Sequence, residues 1–171
     1  LCLIQGCSIG SKDSKIAQKL EFQQSQQFSD LLKSSKSVIE DRNGNVIHSD
    51  QYQIEKTWNG NVCTTVLTNI STKPIYPKDV ILFNIDKHGL NPDSPVYGEG
   101  FQMLHQNEGT LAKRVNIGNN PDNKHYKMPD LNDLPTAYGL LNVNLNENEN
   151  LILGFTSCKK FIGRISYDSL Q

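Results

Sequence analysis

The residues with the widest chemical reach in this 171-residue chain lie between Tyr97 and Gln106, read as YGEGFQMLHQ. Glu99 is a carboxylate between two glycines, and Tyr97, Phe101 and Met103 stand beside Gln102, His105 and Gln106. Glycines at alternate positions let backbone approach backbone, or a ligand, closely and permit φ above zero. Aromatics interleaved with amides and one carboxylate suit a polyol-binding surface, and they equally suit a strand entering a hydrophobic core. Tyr97, Glu99, Phe101, Gln102 and His105 are therefore sugar-binding candidates. Glu99 could accept hydrogen bonds from sugar hydroxyls, or cap a turn, or pair with Arg114 or a lysine. Trp58, the only tryptophan, joins the candidates because it precedes a tight turn. At a loop tip its flat face could stack on a pyranose, whereas at a hairpin end it would pack across strands. Tyr126 is a further stacking candidate.

Other reactive types are less well placed. His88, His105 and His125 do not fall at i, i+2 or i, i+4 spacings, so a metal site would need assembly by the fold alone, and no metal or cofactor is expected. Asp86, Asp93, Asp122, Asp130 and Asp133 lie in turn-rich stretches and read as solvated turn formers. Ser157 beside Cys158 lacks the glycines of a nucleophile elbow, so no catalytic residue is named. Lys159 and Lys160 read as a solvated turn. Cys2, Cys7, Cys63 and Cys158 include no CxxC pair. Cys63 and Cys158 fall in strand-like runs, where they would be buried thiols or, in an oxidising compartment, a bonded pair. Asn69-Ile70-Ser71 fits a glycosylation sequon.

Composition narrows the classes. One domain with a proper core fits this length. The net charge of -1, from 17 basic and 18 acidic residues, provides no excess to draw nucleic acid. Eighteen asparagines, seventeen of them between Asn45 and Asn150, favour a chain with many turns.

Residues 1–7, and the polar stretch after them, suggest export. LCLIQGCS resembles the tail of a secretory signal ending in a lipobox, which would make Cys7 the lipid-bearing residue of a periplasmic or outer-membrane lipoprotein. Gln5 departs from the small residue usual there. Residues 8–37, rich in Ser, Gln and Lys, read as a polar tether that could hold a weak amphipathic helix through Ile16, Leu20, Phe28, Leu31 and Leu32.

Residues 38–171 carry strand signals. Asn43-Gly44 and Asn59-Gly60 are hairpin dipeptides. Val80–Ile85 is nearly continuous apolar, as in a strand covered on both faces. Leu141, Val143 and Leu145 alternate with Asn142, Asn144 and Asn146, and Phe161, Gly163, Ile165 and Tyr167 alternate again. The expected fold is all-β, an antiparallel β-sandwich.

Three segments, TVLTNISTKPIYPKDVILFNI (65–85), YGEGFQMLHQ (97–106) and GFTSCKKFIGRI (154–165), together resemble the N-terminal β-supersandwich domain of α-galactosidase-like and raffinose-synthase-like glycoside hydrolases, family 36 and its relatives. His105 stands where the family pattern suggests a small polar residue. The resemblance implies a non-catalytic sandwich that packs on a catalytic (β/α)₈ barrel and helps line its galactoside pocket. The paired carboxylates of such a reaction belong to the barrel, and no pair in these residues can be named for that role. Stand-alone carbohydrate binding, or a structural surface lipoprotein, is the alternative.

Overall fold

Period-two alternation, cut by Asn-Gly and proline turns, dictates strands over most of the chain. The computed structural model describes residues 2–8, 26–86, 88–101, 105–117, 134–157 and 159–168. These form strands β1 (Cys2–Ser8), β2 (Lys36–Asp41), β3 (Tyr52–Asn59), β4 (Val62–Asn69), β5 (Pro77–Asn84), β6 (Val96–Glu99), β7 (Gln106–Gly109), β8 (Arg114–Ile117), β9 (Thr136–Tyr138), β10 (Leu140–Asn146), β11 (Glu149–Phe155) and β12 (Arg164–Ser166). A single short helix, α1, covers residues 26–34 among them. The fold is all-β, antiparallel and sandwich-like.

Eight strands make one sheet in the order β3-β4-β1-β11-β10-β6-β7-β8, and two ribbons, β2-β5 and β9-β12, stand apart from it. Register explains its buried face. Val143 lies opposite Leu151 and Val96, and Leu141 lies opposite Leu153 and Gly98. Directly paired residues point to the same side of a sheet, so these apolar groups form one continuous inner face. Phe28 and Leu32 of α1, Leu111, Ala137 of β9 and Tyr167 complete the core.

Phe28 and Leu32 are one helical turn apart, and both are buried. Residues 26–34 therefore belong to the folded body and correct the expected tether over this part, while 9–25 lie outside the described residues. Three further expectations change. The run Val80–Ile85 is not covered on both faces, because β5 belongs to a two-stranded ribbon and Val80 faces solvent. Phe161 does not continue the alternation of Ile165 and Tyr167; strand pairing begins only at Arg164. The wet face expected of β10 is only half-exposed, and the Oδ1 atom of Asn142 is buried.

The two Asn-Gly dipeptides behave differently. Gly60, with φ of +58°, and Asn61 close the two-residue connection between β3 and β4. Gly44 also has positive φ, yet the returning chain meets β2 at a single bridge, Glu40 to Val46, because β5 takes the rest of β2. That turn is held by Asp41, whose Oδ1 accepts from the amides of Asn45 at 2.9 Å and Asn43 at 2.8 Å.

Those amides, Asn45 first, hold the Asp41 carboxyl below the ordinary aspartate value of 3.8. The group binds fewer protons in the folded state than in the unfolded state. Its contribution is thus fully present above 3.8 and is lost as pH falls through the lower folded value. Titrating the carboxyl carbon by NMR should give a midpoint below 3.8; a midpoint at or above it would contradict this turn.

Candidate functional site

The glycine-rich run forms a hairpin whose first strand is β6. Val96 and Gly98 point inward, whereas Tyr97 is half-buried and Glu99 exposed on the outer side. Gly98 is required by a close approach between layers. A Cβ there would lie 2.9 Å from the Cβ of Ala137, closer than real side chains come, and in ordinary contact with Leu141 at 3.6 Å. The glycine admits strand β9, so the close neighbour at this position is the chain itself.

After Glu99 the chain turns, and the amide of Gly100 donates to the carbonyl of His105 at 2.8 Å. His105 is buried, and so is Asn107 two residues on. Phe101 is partly exposed and meets the ring of Tyr138 edge-on, with centroids 5.7 Å apart. Gln102 lies outside the described residues, as do Met103 and Leu104.

Trp58 stands five strand positions from β6 in the same sheet. It borders the core against Phe83, with ring centroids 5.9 Å apart, and the Lys33 ammonium lies 5.8 Å from its ring centre. Beneath it, Lys56 lies over Phe83 and donates to the carbonyl of Ser35 at 3.2 Å. Burial pushes the Lys56 ammonium down from its usual range. The structure thus groups Tyr97, Glu99, Phe101 and His105 on one hairpin and keeps Trp58 apart from them.

His88 is a clasp: its Nδ1 accepts from the amide of Leu90 at 3.0 Å, so Nε2 carries the proton donated to the carbonyl of Asp168 at 2.9 Å. His125 and Tyr126 fall outside the described residues. Among the described residues no group of three His, Cys, Asp or Glu side chains could hold a metal ion, and no helix is long and apolar enough to cross a membrane. Asp86 and Asp93 lie in irregular segments of the described chain; Asp122, Asp130 and Asp133 lie outside it. Cys63 is buried with a free thiol, 3.7 Å from the Thr65 hydroxyl, and Cys158 lies outside the described residues. Cys7 sits in β1 opposite Asn150, and the segment expected to be a signal remnant forms a strand between β4 and β11.

Sequence reasoning missed the junction at the β9-β12 ribbon. One contact closes it and two tie it to distant segments. The amide of Gly139 donates to the carbonyl of Gly163, and that of Phe155 donates to Gly139. A Cβ on Gly163 would run into the Phe155 ring, so glycine is needed where the ring covers the chain. Arg164 of β12 binds Asp79 of β5 through its Nη2. Beside this braced ribbon, Phe161 is 81% exposed and Ile162 55% exposed. Alternation was a poor guide to them, because both precede the first paired residue. No family model, curated protein or solved structure matches the chain. Its chemistry has to be read from this geometry.

Proposed function

We propose that this sandwich is a non-catalytic accessory domain of an exported α-galactoside-processing glycoside hydrolase, docking on a catalytic barrel through the face that carries Phe161 and Ile162. The observation that carries the reading is that apolar pair, left in solvent at 81% and 55% exposure just before a ribbon whose position is fixed by its neighbours. Adjacent large apolar side chains at a braced position mark an interaction surface more often than scattered ones do. The three segments that resemble the family, remote in sequence, meet at this ribbon: Asp79 from the first, Phe101 from the second, and Phe155 to Arg164 from the third. The role is mechanical, covering apolar surface on the barrel and fixing one edge of its galactoside pocket. Glu99 and Tyr97, on the outer face of β6, are the residues of this chain that would reach such a pocket's rim.

The test is the oligomeric behaviour of the 171-residue chain by gel filtration with light scattering. Without a barrel to cover it, the face should drive concentration-dependent self-association, and Phe161→Ser combined with Ile162→Ser should abolish it without altering the circular dichroism. A monodisperse wild-type monomer at high concentration would count decisively against docking through this face. A parent reading frame with no barrel carrying paired carboxylates would remove the hydrolase assignment as well.

A further inference from the structure

We propose that the open groove between the turn at Asp41–His48 and the segment Pro74–Tyr76 is a saccharide-binding site, with Tyr76 as stacking platform and Arg42, His48 and Gln51 as hydroxyl partners. The groove is open to solvent and offers about 680 Å³ of space, room for a small ligand lying along it. Its walls are loops, but they are braced. Asp41 clamps one of them through the amides of Asn43 and Asn45. The other is held where Ile70 and Ser71 donate to the carbonyl of Gln51 at 3.0 and 3.2 Å, and where the Asn69 side chain bonds Ser71 and the carbonyl of Lys73. A site that is already folded does not need to order its loops on binding.

The lining is chemically mixed in the way a sugar requires. Tyr76 is 68% exposed and Val46 62% exposed, so an aromatic face and an aliphatic edge stand open in a concavity. The C–H face of a pyranose is apolar and flat enough to cover such a ring, while its rim of hydroxyls needs donors and acceptors. Arg42 supplies planar donors, and Gln51 supplies both an acceptor and donors. Neither side chain has a hydrogen-bond or ion-pair partner among the described residues. His48 lies 3.8 Å from Asp50 and leaves its other ring nitrogen facing solvent. Asp41 is committed to its own turn, and among the described residues no other carboxylate lines the groove. The site lies outside the β6 hairpin and needs no barrel.

Heteronuclear NMR titration of the whole chain with raffinose, melibiose, maltotriose and cellotriose in the millimolar range tests this. At least one sugar should produce saturable shifts at the amides of Arg42, His48, Gln51 and Tyr76. Tyr76→Ala should weaken binding about tenfold or more, while Tyr76→Phe, which keeps the ring, should retain it. Absence of saturable shifts with all four sugars overturns the proposal, as do shifts centred on another surface or shifts unchanged in Tyr76→Ala. Because this readout is independent of self-association, the groove and the docking face can fail separately.

Discussion

Replacing Leu141 with alanine is expected to cost about 2–5 kcal/mol of folding stability, the usual range for emptying a fully buried leucine site. Leu141 is 1% exposed and sits in β10, between β11 and β6 in the eight-stranded sheet. Its register partners are Leu153 and Gly98, and Gly98 has no side chain that could swing into the vacated space. Ala137 already approaches Gly98 from the opposite layer, so refilling the cavity would require the β9-β12 ribbon to sink as a unit. The ribbon is tied to β11, where the amide of Phe155 donates to the carbonyl of Gly139, and to β5 at Arg164 and Asp79, which resists that movement. Collapse being hindered, the cost should fall in the upper part of the range. Since domains of this size are stable by only about 5–15 kcal/mol, the variant should show a large drop in urea midpoint at nearly constant slope. Val66→Ala in β4, at a position 52% exposed, is the control and should change stability by less than about 0.5 kcal/mol. A Leu141→Ala loss below about 1 kcal/mol would mean that the inner face is not packed as the register implies.

The parts of this fold that sequence made legible are those governed by local rules. Leu141 and Val143 alternate with asparagines because β10 has one face against the core, and period two is visible without any partner strand. Asn59-Gly60 announced the β3-β4 connection because positive φ at Gly60 is a local demand. Where the deciding partner is distant, the signal disappears. Asn43-Gly44 looks like the same hairpin dipeptide, but β5, more than thirty residues later, wins the pairing with β2. The helical spacing of Phe28, Leu31 and Leu32 is visible in sequence, but the surrounding glutamines and serines hide that α1 docks on the core through Phe28 and Leu32. Asn107 carries no sequence signal of its place: QNEG forms strand β7, and register with Gly98 turns Asn107 to the inner face. Its amide is fully buried with no hydrogen-bond partner among the described residues. Such burial costs free energy and runs against every pattern a sequence reader would use. For the candidate site, Gly98 of YGEG does allow a close approach, but only the structure names Ala137 as what approaches. Tyr76 between two prolines and Arg42 beside Asp41 gave no periodic signal. Loops thirty residues apart define their groove.

Breaking the ion pair between Arg164 and Asp79 is the second large effect, expected at about 1–3 kcal/mol for Arg164→Ala. The pair joins residues 85 positions apart and links the β9-β12 ribbon to the β2-β5 ribbon. Its magnitude lies between two limits. A solvated surface pair contributes at most about 1 kcal/mol, whereas removing one member of a fully buried pair costs about 3–5 kcal/mol. The Asp79 side chain is 11% exposed and that of Arg164 28%, nearer the buried limit. Lys78, whose ammonium lies 3.7 Å from the other Asp79 oxygen, partly neutralises the carboxylate left behind and lowers the cost. Arg164→Lys should recover only part of the loss, because a single ammonium cannot present the planar donors of a guanidinium. A double-mutant cycle with Asp79→Ala measures the coupling directly, and a value below about 0.3 kcal/mol would show that the two ribbons are held by packing alone. If the coupling is present, it should persist in high salt, since a half-buried pair is screened far less than a surface one. The consequence reaches the proposed docking face. Phe161 and Ile162 precede this anchor with only Gly163 between, so Arg164→Ala should weaken the self-association they drive while Phe161 itself remains intact. Loss of stability without any loss of self-association would separate the anchor from the face it is inferred to present.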